Sequence, residues 1–177
     1  MTKFFKIFIV AACLLVAGIA GANFFLLQRH VQSVLADDPR NAGVSVWAHY
    51  EYFVIPTTLV IDLRQVSVTN SPADVTRVLV QFSKTQAQTR FELVKLAHQG
   101  SQKFLLKGDY FQTLGQEFGT QNPVYTMRTL PENVYQLDGS PAFGTWTGGM
   151  LGVLGKQMED FSDFHKKWYI LDLAKSK

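Results

Sequence analysis

One stretch of this chain constrains everything else: from Ile7 through Gln28 no residue carries a charge, and only Asn23 and Gln28 are strongly polar. About 20 apolar residues, at roughly 1.5 Å of rise each, cross a hydrocarbon core of about 30 Å. Lys3 and Lys6 precede the run, and Arg29 and His30 follow it. A core helix of a soluble domain is normally amphipathic, whereas this one is apolar all round. The expectation is a single transmembrane helix over 7–28, within an anchor of residues 1–30. Ala20-Gly21-Ala22 has the small-residue pattern of a signal cleavage site, but Phe24-Phe25-Leu26-Leu27 carries the apolar run past it. Cleavable signals have an apolar core of only about 7–15 residues, so a retained signal anchor is expected. Val10-Ala11-Ala12-Cys13 has a loose lipoprotein look, but the run before it is too short, and Cys13 is read as a small apolar residue. Lys3 and Lys6 at one end against Arg29 and Arg40 at the other place the N-terminus in the cytoplasm and the rest of the chain outside it.

The 177 residues suffice for one hydrophobic core beyond the anchor and not for two comfortable domains. The net charge of +3 invites a nucleic-acid reading, and its distribution refuses it. Of the 17 Lys and Arg, three flank the apolar run, and the 14 beyond position 30 balance the 14 Asp and Glu. A formally neutral domain has no basic stripe to neutralise phosphates. The one cysteine lies in the anchor, so the domain forms no internal disulfide.

Residues 31–43, with Asp37-Asp38-Pro39-Arg40, read as a short helical extension and then a linker to one domain over 44–177. Val44, Val46, Ala48, Tyr50, Tyr52 and Val54 alternate with their neighbours in strand fashion until Pro56. Leu59-Val60-Ile61-Asp62-Leu63 predicts a buried central strand. Ser71-Pro72-Ala73-Asp74 starts a helix, with Val75, Val78, Leu79 and Phe82 on its inner face. Phe91–Ala97 follows as a strand, so 59–97 forms a βαβ unit with a parallel pair, and Lys103–Lys107 closes a hairpin. Gly108-Asp109 opens a short helix, Val124–Arg128 reads as a short strand in a loop-rich stretch, and Leu151, Leu154, Met158, Phe161, His165 and Trp168 mark a long terminal helix. The fold class is mixed α+β: an N-terminal membrane helix, then a sheet of four or five strands with packed helices.

Two constellations are candidate sites. Asp62 and Arg64 end the central strand, and Asn70 and Ser71 open the next helix, with Gly108 and Asp109 at another strand-to-helix turn. Ligands of open α/β sheets settle at such edges, beside helix N-termini that attract anions. The plainer alternative is an Asp62–Arg64 ion pair and a Ser71 cap. The second constellation is the uncharged segment 139–155, where Gly144, Gly148 and Gly152 recur every fourth residue around Trp146. That spacing suits close helix approach or contact with lipid or a partner, and the alternative is a loop packed on its own domain.

No metal site is expected. Glu159 and Asp163 share a helix face, but His165 falls off it, and His49, Glu51 and His98 lie far away in sequence. Gly155-Lys156 lacks the other residues of a phosphate loop, and there is no Gly-x-Ser-x-Gly elbow. An acid–base pair among Asp62, Asp109, Glu132 and Glu159 would require tertiary pairing. The expected function is therefore a non-enzymatic, membrane-anchored envelope protein, without cofactor, that binds a protein partner or forms a homo-oligomer. The alternative is a small anchored enzyme or ligand-binding domain using the Asp62 edge.

Overall fold

A computed structural model of the chain describes residues 3–175. The N-terminal helix α1 (Lys3–Asn23) passes through a π-helical turn (Phe24–Gln28) into α2 (Arg29–Asp37) with no non-helical residue between them. This is a helix long and apolar enough to cross a membrane, and no residue of its most apolar window is buried. A short 3-10 turn at Pro39–Asn41 leads to β1 (Val44–Glu51) and β2 (Ile55–Val66). Then follow α3 (Pro72–Thr85), β3 (Leu93–His98), β4 (Ser101–Lys107), α4 (Gly108–Glu117), α5 (Pro123–Thr129) and β5 (Val134–Tyr135). The chain finishes with α6 (Met150–His165), a second π turn (Lys166–Ile170) and α7 (Leu171–Lys175).

The sheet order is β1-β2-β3-β4-β5, with β2 and β3 parallel and the other pairs antiparallel. The fold is thus mixed α+β, and the β2-α3-β3 unit and β3–β4 hairpin lie where the hydrophobic pattern puts them. Side chains alternate across a strand. Val46, Ala48, Leu59, Ile61, Leu63, Val94, Leu96, Phe104 and Leu106 accordingly face one core. Val75, Val78, Leu79 and Phe82 of α3, Phe111 of α4, and Phe164 and Trp168 near the C-terminus cover that face. The opposite face carries polar pairs such as Glu51–Lys95 and the Arg64 guanidinium over the Trp47 ring at 5.9 Å.

Four local expectations are corrected. Residues 31–43 are no linker: Val31 and Val34 belong to the core, and Asn41 is 1% exposed, donating to Val34 O (2.8 Å) and Gln81 Oε1 (2.6 Å). The spacing of Leu27, Val31 and Val34 carries an apolar stripe out of the uniformly apolar run and into the domain. β1 ends at Glu51, because the chain reverses at Tyr52–Val54 without the Gly or Asn that marks most hairpins, and Pro56 lies inside β2. Val124–Arg128 is helical: Asn122 accepts from the Val124 N–H (2.9 Å) and Pro123 sits in the first turn. In α6 the buried positions are Gln157, Phe161, Phe164 and His165, while Met158 is exposed; the side chain of Leu151 lies outside the described residues.

Candidate functional site

The side chains of the Asp62 edge are paired with one another and with nearby backbone. Asp62 is 2% exposed, and its carboxylate accepts from the Gly100 N–H (3.0 and 3.1 Å) and from Arg64 Nη1 (2.8 Å). Both oxygens are thereby spent on pinning the β3–β4 turn to β2. Ser71 and Asp74 form a reciprocal capping box: the Ser71 hydroxyl accepts from the Asp74 N–H (3.3 Å), and Asp74 accepts from the Ser71 N–H (2.7 Å). The Ser71 N–H and the Arg77 guanidinium hold the Asp74 carboxyl below its ordinary pKa. Asn70 donates to Ala42 O (3.0 Å), closing the loop in which Gly43 takes a φ of +87°.

Gly108 and Asp109 do not join this edge. β4 runs antiparallel to β3, so its carboxyl end lies at the opposite end of the sheet from Asp62 and Ser71. Gly108 is required there because a Cβ would overlap the Phe91 carbonyl. The four acids Asp62, Asp109, Glu132 and Glu159 are likewise kept apart: Glu132 accepts from Gln157 (2.6 Å) and Glu159 pairs with Lys156 (2.8 Å).

In the glycine segment, Trp146 folds back onto its own domain. Its Nε1–H donates to Asp160 Oδ2 (2.6 Å), Lys156 lies over its ring at 5.8 Å, and a Cβ at Gly144 would come into contact with the ring. Gly144 and Gly148 precede α6, so no helical face joins Gly144, Gly148 and Gly152. No group of three or more metal-ligating side chains is assembled among the described residues.

Two features not read from the sequence do stand out. The first is the seam between the N-terminal helix and β1, the edge strand. An edge strand presents a row of unpaired N–H and C=O groups. Here the two polar residues of the apolar run pair with that row. Asn23 accepts from the Tyr50 N–H (2.8 Å) and donates to Phe53 O (2.9 Å). Gln28 accepts from the Ala48 N–H (2.9 Å) and donates to Val46 O (3.2 Å). In an α-helix, residues five apart point about 140° away from each other. The π turn between them, bonded i to i+5, brings both amides onto one side. Gln86 of the α3 C-cap donates to Leu26 O in the same turn (3.3 Å). The sequence signal was there, as two amides in an otherwise apolar run, but α-helical spacing separates them.

The second feature is a groove of about 440 Å³ between α3, α4 and the start of α5. Val80, Leu114, Phe118, Pro123 and Met127 supply an apolar floor, and Arg40, Arg77, Gln81, Glu117 and Gln121 the polar margin. The arginines are held in place: Asp38 binds Arg40 (2.7 Å) and accepts from Gln81 (2.9 Å), and Arg77 binds Asp74 (2.9 Å). The Arg40 and Gln81 hydrogen bonds draw the Asp38 pKa far below the ordinary carboxylate range. A mostly apolar concavity with oriented polar edges takes an apolar side chain or a small ligand.

A buried polar cluster lies where the C-terminal segment crosses the sheet and α3. His165 is fully buried; its Nε2 meets Thr76 Oγ1 (3.0 Å), whose hydroxyl donates to Pro72 O (3.0 Å). With that hydroxyl proton spent, Nε2 carries the imidazole hydrogen and Nδ1 is left without a partner. Burial drives the His165 pKa down to about 3, so the ring is neutral. Trp168 donates to Ala97 O (3.0 Å), and His98 Nδ1 lies 3.1 Å from Asp172. Thr76 and His165 are both buried and the Thr76 hydroxyl proton is committed to Pro72 O, so this pair packs and orients the C-terminal segment against α3.

No protein-family model, curated protein or solved structure matches this chain.

Proposed function

We propose that this chain is a single-pass membrane protein whose α/β domain is a rigidly mounted docking module for another protein rather than an enzyme. The observation that carries the reading is the seam: the helix apolar enough to span a bilayer is also a wall of the domain. Leu27, Val31 and Val34 are core residues, and Asn23 and Gln28 complete the edge strand. A domain so mounted stays at the bilayer surface and presents its far side in a constant orientation. The groove floored by Phe118 and Met127 is then the contact for an apolar segment of the partner. Lys3 and Lys6 favour a cytoplasmic N-terminus and an extracytoplasmic, envelope-facing domain.

The test is gentle detergent extraction of the tagged full-length protein followed by native mass measurement. A complex of defined stoichiometry, or a defined homo-oligomer, that disappears in Met127→Glu while the variant stays folded supports the reading. A lone monomer overturns the docking role. Release of the chain from membranes by alkaline carbonate overturns the anchor.

A further inference from the structure

We propose that the β1–β2 hairpin is a second membrane contact, its tip seated at the headgroup–acyl boundary of the bilayer that α1 crosses. This rests on the membrane-spanning reading above and goes beyond it. The first observation is direction. Gln28 meets Ala48 and Val46, while Asn23, further back along the helix, meets Tyr50 and Phe53. The strand therefore climbs antiparallel to the helix, and residues 52–55 continue past Asn23 toward the exposed apolar stretch. Asn23 also donates to Ile19 O (2.9 Å), so the tip lies beside the last turn of α1.

The second observation is composition. Tyr52, Val54 and Ile55 are 74%, 57% and 37% exposed, and no charged residue stands between Glu51 and Asp62. Phe53 stacks on His49 at 4.6 Å, and His49 packs on Trp47 at 4.8 Å, a row of rings below the tip. Phe24 and Phe25 are exposed at the same level of the helix. Tyr and Trp side chains, here Tyr52 and Trp47, collect at bilayer interfaces.

The third observation is the turn itself. The Val54 N–H closes on Glu51 O (3.2 Å), and the two residues between, Tyr52 and Phe53, have φ of +50° and +65°. Such primed turns favour Asn and Gly, since bulky residues resist positive φ. A tip facing water would gain from that exchange. A tip that places two rings in the interface has a reason to keep them.

The experiment uses the full-length protein in phosphatidylcholine vesicles, with single cysteines carrying an environment-sensitive fluorophore. Cys13 is the only cysteine, so one sample labels it and the others use a Cys13→Ser background. Val54→Cys reports on the tip and Ser101→Cys, on the opposite hairpin, on bulk water; Tyr52→Cys replaces Val54→Cys should that variant fail to accumulate. The expected result is several-fold stronger quenching of the Val54 label than of the Ser101 label by lipids with a nitroxide near the headgroup, and several-fold weaker quenching by aqueous iodide. Equal iodide quenching at both positions, with the Cys13 label still quenched by deep-nitroxide lipids, overturns the hairpin contact and leaves the anchor standing. A Cys13 label untouched by lipid nitroxide overturns the spanning helix and the hairpin contact together.

Discussion

The two hairpins of this sheet end in opposite directions and are built from opposite materials. The β3–β4 turn is Gln99-Gly100, with φ of +50° and +84°, and it is clamped by the buried Asp62 carboxylate. The β1–β2 turn puts Tyr52 and Phe53 into the same region of φ and is clamped by Asn23 from the N-terminal helix. Because β2 and β3 are parallel, the two turns stand at opposite ends of the sheet. One backbone problem is thus solved once with glycine and polar groups and once with aromatic rings and a helix. What differs is the neighbour: the second turn sits beside a long apolar helix, and the first does not.

The largest effect should come from removing that helix. A chain starting at residue 44 loses Leu27, Val31, Val34 and Asn41 and bares the β1 edge. Burial of each aliphatic side chain is worth about 1.5–3 kcal/mol, so this chain should show no cooperative unfolding transition by circular dichroism. A chain starting at residue 23 keeps the seam and should melt cooperatively. If the shorter chain melts as sharply, the helix is an appendage and the contrast between the two hairpins collapses.

Acid comes next and acts on the opposite end. The folded His165 pKa of about 3 lies below the ordinary 6.5, so the unfolded chain takes up the proton first. Stability is therefore complete above pH 6.5 and falls as the pH drops toward 3, by about 1.4 kcal/mol per pH unit in the lower part of that window. Hydrogen exchange should show the C-terminal helix and the β3–β4 end loosening first, while β1 amides bonded to Asn23 and Gln28 stay protected. Equal loosening throughout would show that the two ends do not open separately.

Within the seam, Asn23→Ala leaves the half-buried Tyr50 N–H without its partner and frees the Phe53 carbonyl at the exposed turn, and should cost about 1–3 kcal/mol in chemical denaturation, the cost of one unsatisfied buried group. The smallest effects separate the turns. Gly100→Ala meets nothing within 4 Å, so its cost is backbone strain alone, about 1–2 kcal/mol. Tyr52→Asn, at the exposed ring rather than the Phe53 ring stacked on His49, should move the other way in detergent, raising stability by about 0.5 kcal/mol. A loss of stability there would show that the Tyr52 ring holds the fold rather than faces outward.

The fold was legible wherever residues obeyed a local period. Leu59–Leu63, the Ser71-Pro72 cap, the Val75–Phe82 stripe and the β3–β4 hairpin all carry their own signals, and they form where those signals put them. The Val124–Arg128 segment misled because its aromatic and β-branched residues resemble a strand, while the Asn122 cap decides for helix. Tyr52-Phe53 gave no turn signal because the residues themselves disfavour the turn they adopt. Asp62 and Ser71 look like a ligand edge in sequence; three-dimensional pairing shows each one spent on a structural partner.

Composition and periodicity alone dictate the apolar N-terminal helix, the neutral domain after it and the β2-α3-β3 unit, because hydrophobic burial and capping act over a few residues at a time. The use of Asn23 and Gln28 to close the sheet edge, the packing of residues 31–43, the separation of Gly108 from Asp62 and the groove beside Phe118 could not be read that way. Each depends on groups brought together from distant parts of the chain, and a side-chain amide chooses its partner by position, which only the packed fold supplies.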